Sequence, residues 1–206
     1  MCLITSVLLT TKVVPKFWRS LIPYLIVTVF VESYCFYLVK TSTESVSTHS
    51  IYNMFLLIYL SFHLFLFAKL IALPFINTLI KIVFVALISC YTWEWYTLGF
   101  SHFFAITNVL FGTSIIIFSV FYYYSLIYQE QNLAIIKEPG FWFVTGCVLF
   151  YAGSTTVNLN LDRLIMISKT NSFPFRYVLI SILNMLMYGC WIKSFLCLSK
   201  TQTYSR

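Results

Sequence analysis

Charge is what this chain has least of. Its 206 residues include 6 acidic and 13 basic side chains, 9% charged in all, too few to solvate the surface of an ordinary globular domain. Signatures of common chemistry are missing too: there is no Gly-rich phosphate loop, no His-Glu-x-x-His pair, no nucleophile elbow and no pair of acids at catalytic spacing. No metal site and no cofactor are therefore expected. Cysteine occurs at positions 2, 35, 90, 147, 190 and 197, without a C-x-x-C pair. Cys35, Cys90, Cys147, Cys190 and Cys197 fall in apolar stretches and read as small buried residues rather than redox groups. The net charge of +7 is scattered, with no cluster long enough to follow a phosphate backbone. It points to anionic lipid headgroups and away from nucleic acid.

Apolar length takes the place of charge. Hydrophobic residues make up 60% of the chain, and they gather in six runs whose length of about 20 residues matches the hydrocarbon core of a bilayer. The runs are about 19–39, 50–73, 75–98, 100–128, 139–157 and 175–198. Pro74 and Gly99 punctuate them, and Pro139 sits where a first-turn proline is tolerated. The expected fold is all-α: one polytopic membrane domain, 1–206, of six complete transmembrane helices and a short N-terminal apolar stub. The stub, Met1 to Thr10, is too short to span. Its bases, Lys12, Lys16 and Arg19, follow the apolar stretch, whereas in a signal peptide they would precede it. A truncated or half-inserted extra helix is the favoured reading, with a frayed interfacial tail as the alternative.

Flanking bases suggest an orientation. On the side of Lys12, side A, lie Lys12, Lys16, Arg19, Lys69, Lys81, Lys137, Lys193, Lys200 and Arg206, against Lys40, Arg163, Lys169 and Arg176 on side B, nine against four. The positive-inside rule then makes side A cytoplasmic, which puts the C-terminus in the cytoplasm and the chain in the inner membrane. Phe17-Trp18, Tyr122-Tyr123-Tyr124 and Phe141-Trp142-Phe143 mark the side A interface, and Trp93, Trp95 and Tyr96 mark side B. Trp93-Glu94-Trp95 also admits a second reading, a carboxylate between two indoles that faces a guest.

Polar residues inside the runs carry what functional signal there is. Glu32 lies about 13 residues into the first run, roughly 20 Å from side A at ~1.5 Å per residue. Eleven Leu, Ile, Val and Phe residues between Leu21 and Val39 favour insertion by about 3 to 7 kcal/mol. One central acid opposes it by roughly 3 kcal/mol, so the helix still spans with Glu32 turned inward or protonated. Asn53, Glu94, His102, Asn108 and Asn184 fall in the same outer half. These six are the candidate ligand-binding residues of a hydrated pocket open to side B. The competing reading is interhelical hydrogen bonding that only fixes packing. His63, alone in the inner half, reads as a packed helix residue. Gly146 and Gly153 share one face of the fifth run, where they permit close approach of a neighbouring helix.

The segment Glu138-Pro-Gly-Phe-Trp-Phe-Val-Thr-Gly-Cys-Val-Leu-Phe-Tyr-Ala-Gly153 resembles the P-x-F-W-x-x-x-G-x-L-x-Y-x-x-G helix of uncharacterised multi-helix integral membrane proteins common in Bacteroidetes. Val31-Glu32, Tyr52-Asn53-Met54-Phe55 and Ile182-Leu-Asn184-Met-Leu-Met-Tyr188 are similar to other segments of that family, in the same order. The resemblance implies about seven helices, with Met1 to Thr10 as the remnant of the first. It implies no reaction. Members often carry a second acid in the helix of the Tyr-Asn pair, where this chain has Ile58 and Tyr59. Three classes of function stay open. A sensing or ligand-binding module, acting on a small-molecule or lipid ligand and with a signalling protein partner, fits best. A small carrier follows, and an intramembrane lipid-modifying enzyme built on Glu32, Glu94 and His102 comes third.

Overall fold

The computed structural model describes residues 16–41, 47–128, 135–171 and 173–201. Met1 to Thr10, the expected stub, lies outside them. Among the described residues the fold is all-α, a helical bundle in which six helices are long and apolar enough to cross a membrane. A helical turn at Lys16–Arg19 leads into α1 (Leu21–Thr41). There follow α2 (His49–Leu70), α3 (Ile76–Leu98), α4 (Ala105–Tyr128), α5 (Pro139–Leu159), the short α6 (Leu161–Asn171) and α7 (Phe175–Thr201).

Local chemistry accounts for the ends of these helices. Ile71 turns extended after α2, its N–H bonded to the Phe67 carbonyl, and Pro74 follows where a helix could not continue. Gly99 stops α3 with a φ of 77°, a left-handed conformation that costs glycine nothing. Pro139 occupies the first turn of α5, where its missing N–H is not needed. Two boundaries differ from the sequence reading. The fourth helix starts at Ala105 rather than Phe100, because 99–104 folds back as a loop held by side chains of other helices. The connection read as 158–174 contains α6, which exposes Ile165, Met166 and Ile167.

The bundle is built around the α5–α7 pair, which packs along most of its length, with α4 against α5 and α3 beside α4. Small residues let the central pair close. A side chain on Gly146 would meet the Met187 carbonyl oxygen at 3.0 Å, and one on Gly153 would meet Leu183. Both glycines thus face α7. The side A half is filled by Leu21, Tyr24, His63, Phe67, Phe118, Phe143, Trp191 and Phe195, all buried. Trp18, Tyr122 and Phe143 belong to this core rather than to an interfacial belt: Trp18 is 4% exposed and meets Phe143 edge to face with ring centroids 5.8 Å apart. Trp93, Trp95, Tyr96 and Tyr124 are exposed, as residues of an aromatic girdle would be.

Candidate functional site

Above that packed half lies a cavity of about 510 Å³, within the size range of small-molecule sites. Its walls come from α1, α2, α4, α5, α6 and α7, and on each long helix the lining residues follow helical spacing from mouth to floor. On α2 they include His49, Tyr52, Asn53, Phe55, Leu56 and Tyr59; on α5, in reverse, Asn158, Ser154, Tyr151 and Phe150; on α7, Arg176, Tyr177, Ile180, Asn184, Met187 and Tyr188. The twelve steps from Arg176 to Tyr188 rise about 18 Å at ~1.5 Å each. The stripes on α2, α5 and α7 run the same way, while α1 contributes Glu32 and, deeper, Thr28. Polar and charged side chains stand at the side B end, and aromatic or aliphatic ones stand at the bottom, where Asn108 on α4 gives way to Phe111.

Below the floor the space closes. Tyr24 stacks on Phe62 with centroids 4.1 Å apart, and His63 packs edge-on against Tyr151 at 5.6 Å. Trp191 lies 6.1 Å from His63 and stacks on Phe143 at 5.0 Å. Tyr24, His63, Tyr151 and Trp191 are each at most 4% exposed. Along the bundle axis the cavity is thus closed toward side A.

Four of the six candidate residues line it: Glu32, Asn53, Asn108 and Asn184. Glu32 lines the cavity but is exposed, not turned fully inward as expected; the Tyr52 hydroxyl donates to its Oε2 at 3.1 Å, which leaves most of the acceptor sites of the carboxylate open. Asn53 is 1% exposed, and its amide donates to the Phe100 and His102 carbonyls at 2.9 and 2.7 Å. It clamps the 99–104 loop onto α2, and the Ser50 hydroxyl adds a bond to Phe100 at 3.3 Å. The Asn108 amide turns back to the Phe104 carbonyl at 2.7 Å. Asn184 makes no side-chain hydrogen bond among the described residues.

The other two candidates lie elsewhere. Glu94 is 1% exposed and accepts from the Ile106 N–H at 3.0 Å, the Thr107 N–H at 2.8 Å and the Thr107 hydroxyl at 2.5 Å. It is a cap supplied by α3 to the start of α4, where orphan N–H groups and the helix dipole favour a carboxylate. Its neighbours Trp93 and Trp95 point outward, 55% and 53% exposed, so no indole pair frames it. His102 is exposed, and it is its backbone carbonyl, not its ring, that meets Asn53.

Several lining residues went unread in the sequence. Arg176 looked like a flanking base, yet it is half-buried at the mouth with its guanidinium 5.2 Å over the Phe103 ring. Tyr52, Tyr59, Tyr151 and Tyr188 also line the cavity, and the sequence reading named none of them as a pocket residue. Their spacing along α2, α5 and α7 was the available signal. Among the described residues no three His, Cys, Asp or Glu side chains gather as a metal site. No family model, curated protein or solved structure matches the chain.

Proposed function

We propose that this multi-pass membrane protein is a sensing or ligand-binding module whose pocket opens on the extracytoplasmic side of the inner membrane. The observation that carries the reading is the cavity closed toward side A, polar at its mouth and aromatic at its floor, above a fully packed half-bundle. A carrier works by alternating access, so Tyr24, His63 and Trp191, buried below the cavity, would have to separate for a substrate to pass. An enzyme needs reactive groups together, and of Glu32, Glu94 and His102 only Glu32 lines the cavity. A bound ligand would favour one packing of α2, α5 and α7 over another, and a signalling protein in the same membrane would read the change. The likeness to the Bacteroidetes membrane family supports an architecture for this reading and no activity.

Thermal shift of the purified protein against small molecules and lipids tests the proposal. A ligand should stabilise the wild type and lose its effect on Glu32→Gln or Asn184→Ala. Substrate flux into proteoliposomes would favour the carrier, and steady product formation the enzyme. Orientation is tested separately by reporter fusions: those after Lys200 should be cytoplasmic and those near Thr48 or Thr170 extracytoplasmic.

A further inference from the structure

Resting on the reading of the cavity as a binding site, we propose that its ligand is a zwitterionic amphiphile. An ammonium group sits against Glu32, an acid group against Arg176, and an apolar body against the aromatic floor. Glu32 and Arg176 line the same cavity, and neither makes an ion pair among the described residues. Tyr52 occupies one acceptor site of Glu32. Phe103 covers a face of the Arg176 guanidinium and leaves the N–H donors on its edge, which are suited to bidentate pairing with a carboxylate or phosphate.

The two wall charges constrain the guest together. Both charged groups line one cavity, where they are screened less than in open solvent, so a charge on the ligand feels both. A purely anionic guest would face Glu32, and a purely cationic one would face Arg176. A neutral guest would pair with neither charge and would cover the half-buried Arg176 without compensation. A guest with both charges satisfies each wall group and keeps the cavity near neutral. Asn158 and Asn184, which also line the cavity, make no side-chain hydrogen bond among the described residues. Their amides offer donors and acceptors in the same cavity. Beneath them Phe111, Phe150, Tyr151 and Met187 form a surface for an apolar body and for nothing charged. The shared chemistry has two sources: a free amino acid with a large apolar side chain, or an aminophospholipid headgroup.

The test uses the full chain in maltoside micelles, free of zwitterionic lipid, with affinity read by thermal shift and calorimetric titration. The probes are phenylalanine, phenylpropionate, phenethylamine and lysophosphatidylethanolamine. At least one of the two zwitterions should bind ten-fold or more tighter than either singly charged compound. Phenylalanine alone points to a free solute, lysophosphatidylethanolamine alone to a lipid, and either result supports the zwitterion. Glu32→Gln should erase the advantage conferred by the ammonium group, so that phenylpropionate equals phenylalanine. Arg176→Gln should make phenethylamine equal phenylalanine, and Arg176→Lys should restore part of the preference. Because these are selectivities within one variant, loss of folding cannot imitate them. If a singly charged probe binds as tightly as the zwitterions, or selectivity survives both substitutions, the zwitterion is overturned and the pocket stands. If none of the four binds while a neutral amphiphile does, the same holds. If nothing binds, the binding module itself falls.

Discussion

Glu94 on α3 reaches across to Thr107 on α4 and accepts both its N–H, at 2.8 Å, and its hydroxyl, at 2.5 Å. The carboxylate is 1% exposed, so these bonds and the one from Ile106 compensate its removal from water. Glu94→Ala should destabilise the protein by about 2–4 kcal/mol, since it deletes charge-assisted bonds and strands two helix N–H groups. Glu94→Gln keeps an acceptor and should cost about 1 kcal/mol. Unfolding in micelles checks both, and an alanine variant as stable as the wild type would remove the capping account. Ligand affinity should stay unchanged in Glu94→Gln, because the cap lies outside the cavity.

The contrast between Glu94 and Glu32 shows what could be read from the sequence. Both stand out as acids within apolar runs, and period and length alone mark all six spanning helices. Depth counting also brings Glu32, Asn53, Asn108 and Asn184 to one level, because helical rise converts position into distance. What a side chain meets at that level depends on rotation and on neighbouring helices. Glu94 turns toward the start of α4 only because the 99–104 loop folds back. Asn53 is spent on that same loop. Arg176 joins the cavity through the tilt and packing of α7, which no local pattern encodes.

Gly146 and Gly153 should respond differently to the same substitution. A methyl group on Gly146 meets backbone, the Met187 carbonyl oxygen at 3.0 Å, with the Cys190 Cβ equally close. On Gly153 it meets the Cδ atoms of Leu183 at 2.5 and 2.6 Å, which can rotate away. Gly146→Ala should cost about 1–3 kcal/mol through overpacking of α5 on α7. Gly153→Ala should stay within about 1 kcal/mol of the wild type, helped by the better helix propensity of alanine. Equal effects in thermal unfolding would contradict the backbone contact at Gly146.

Glu138 precedes α5, just outside the spanning segment, and partial burial pushes its carboxyl above the usual value of 4.5 although the Gly140 N–H pulls the other way. The folded state therefore holds this proton more tightly than the unfolded chain. Its contribution to stability is fully present below pH 4.5 and is lost as pH rises through the raised folded value. Glu138→Gln should flatten that part of the stability profile. A slope of the same size in both proteins, measured by denaturation between mildly acidic and neutral pH, would assign it to other groups.

His63 seals the floor of the cavity, and its two nitrogens are unequal. Nδ1 lies 2.9 Å from the Tyr59 carbonyl, an acceptor only, so Nδ1 carries the hydrogen and Nε2 is left as a lone pair. Nε2 has no partner among the described residues and is fully buried, as are the unpartnered Tyr151 Oη and Trp191 Nε1. A buried acceptor without a donor costs about 1–3 kcal/mol, which offsets the ring contacts His63 makes with Tyr24, Phe62 and Phe111. The Tyr59 carbonyl keeps its helical bond when the ring is removed. His63→Leu, close in volume, should therefore change stability by no more than about 1 kcal/mol, against about 3–5 for Trp191→Ala in the same layer. A loss above about 2 kcal/mol for His63→Leu would mean that Nε2 is not idle, and the floor would have to be read as a second polar station beneath the cavity.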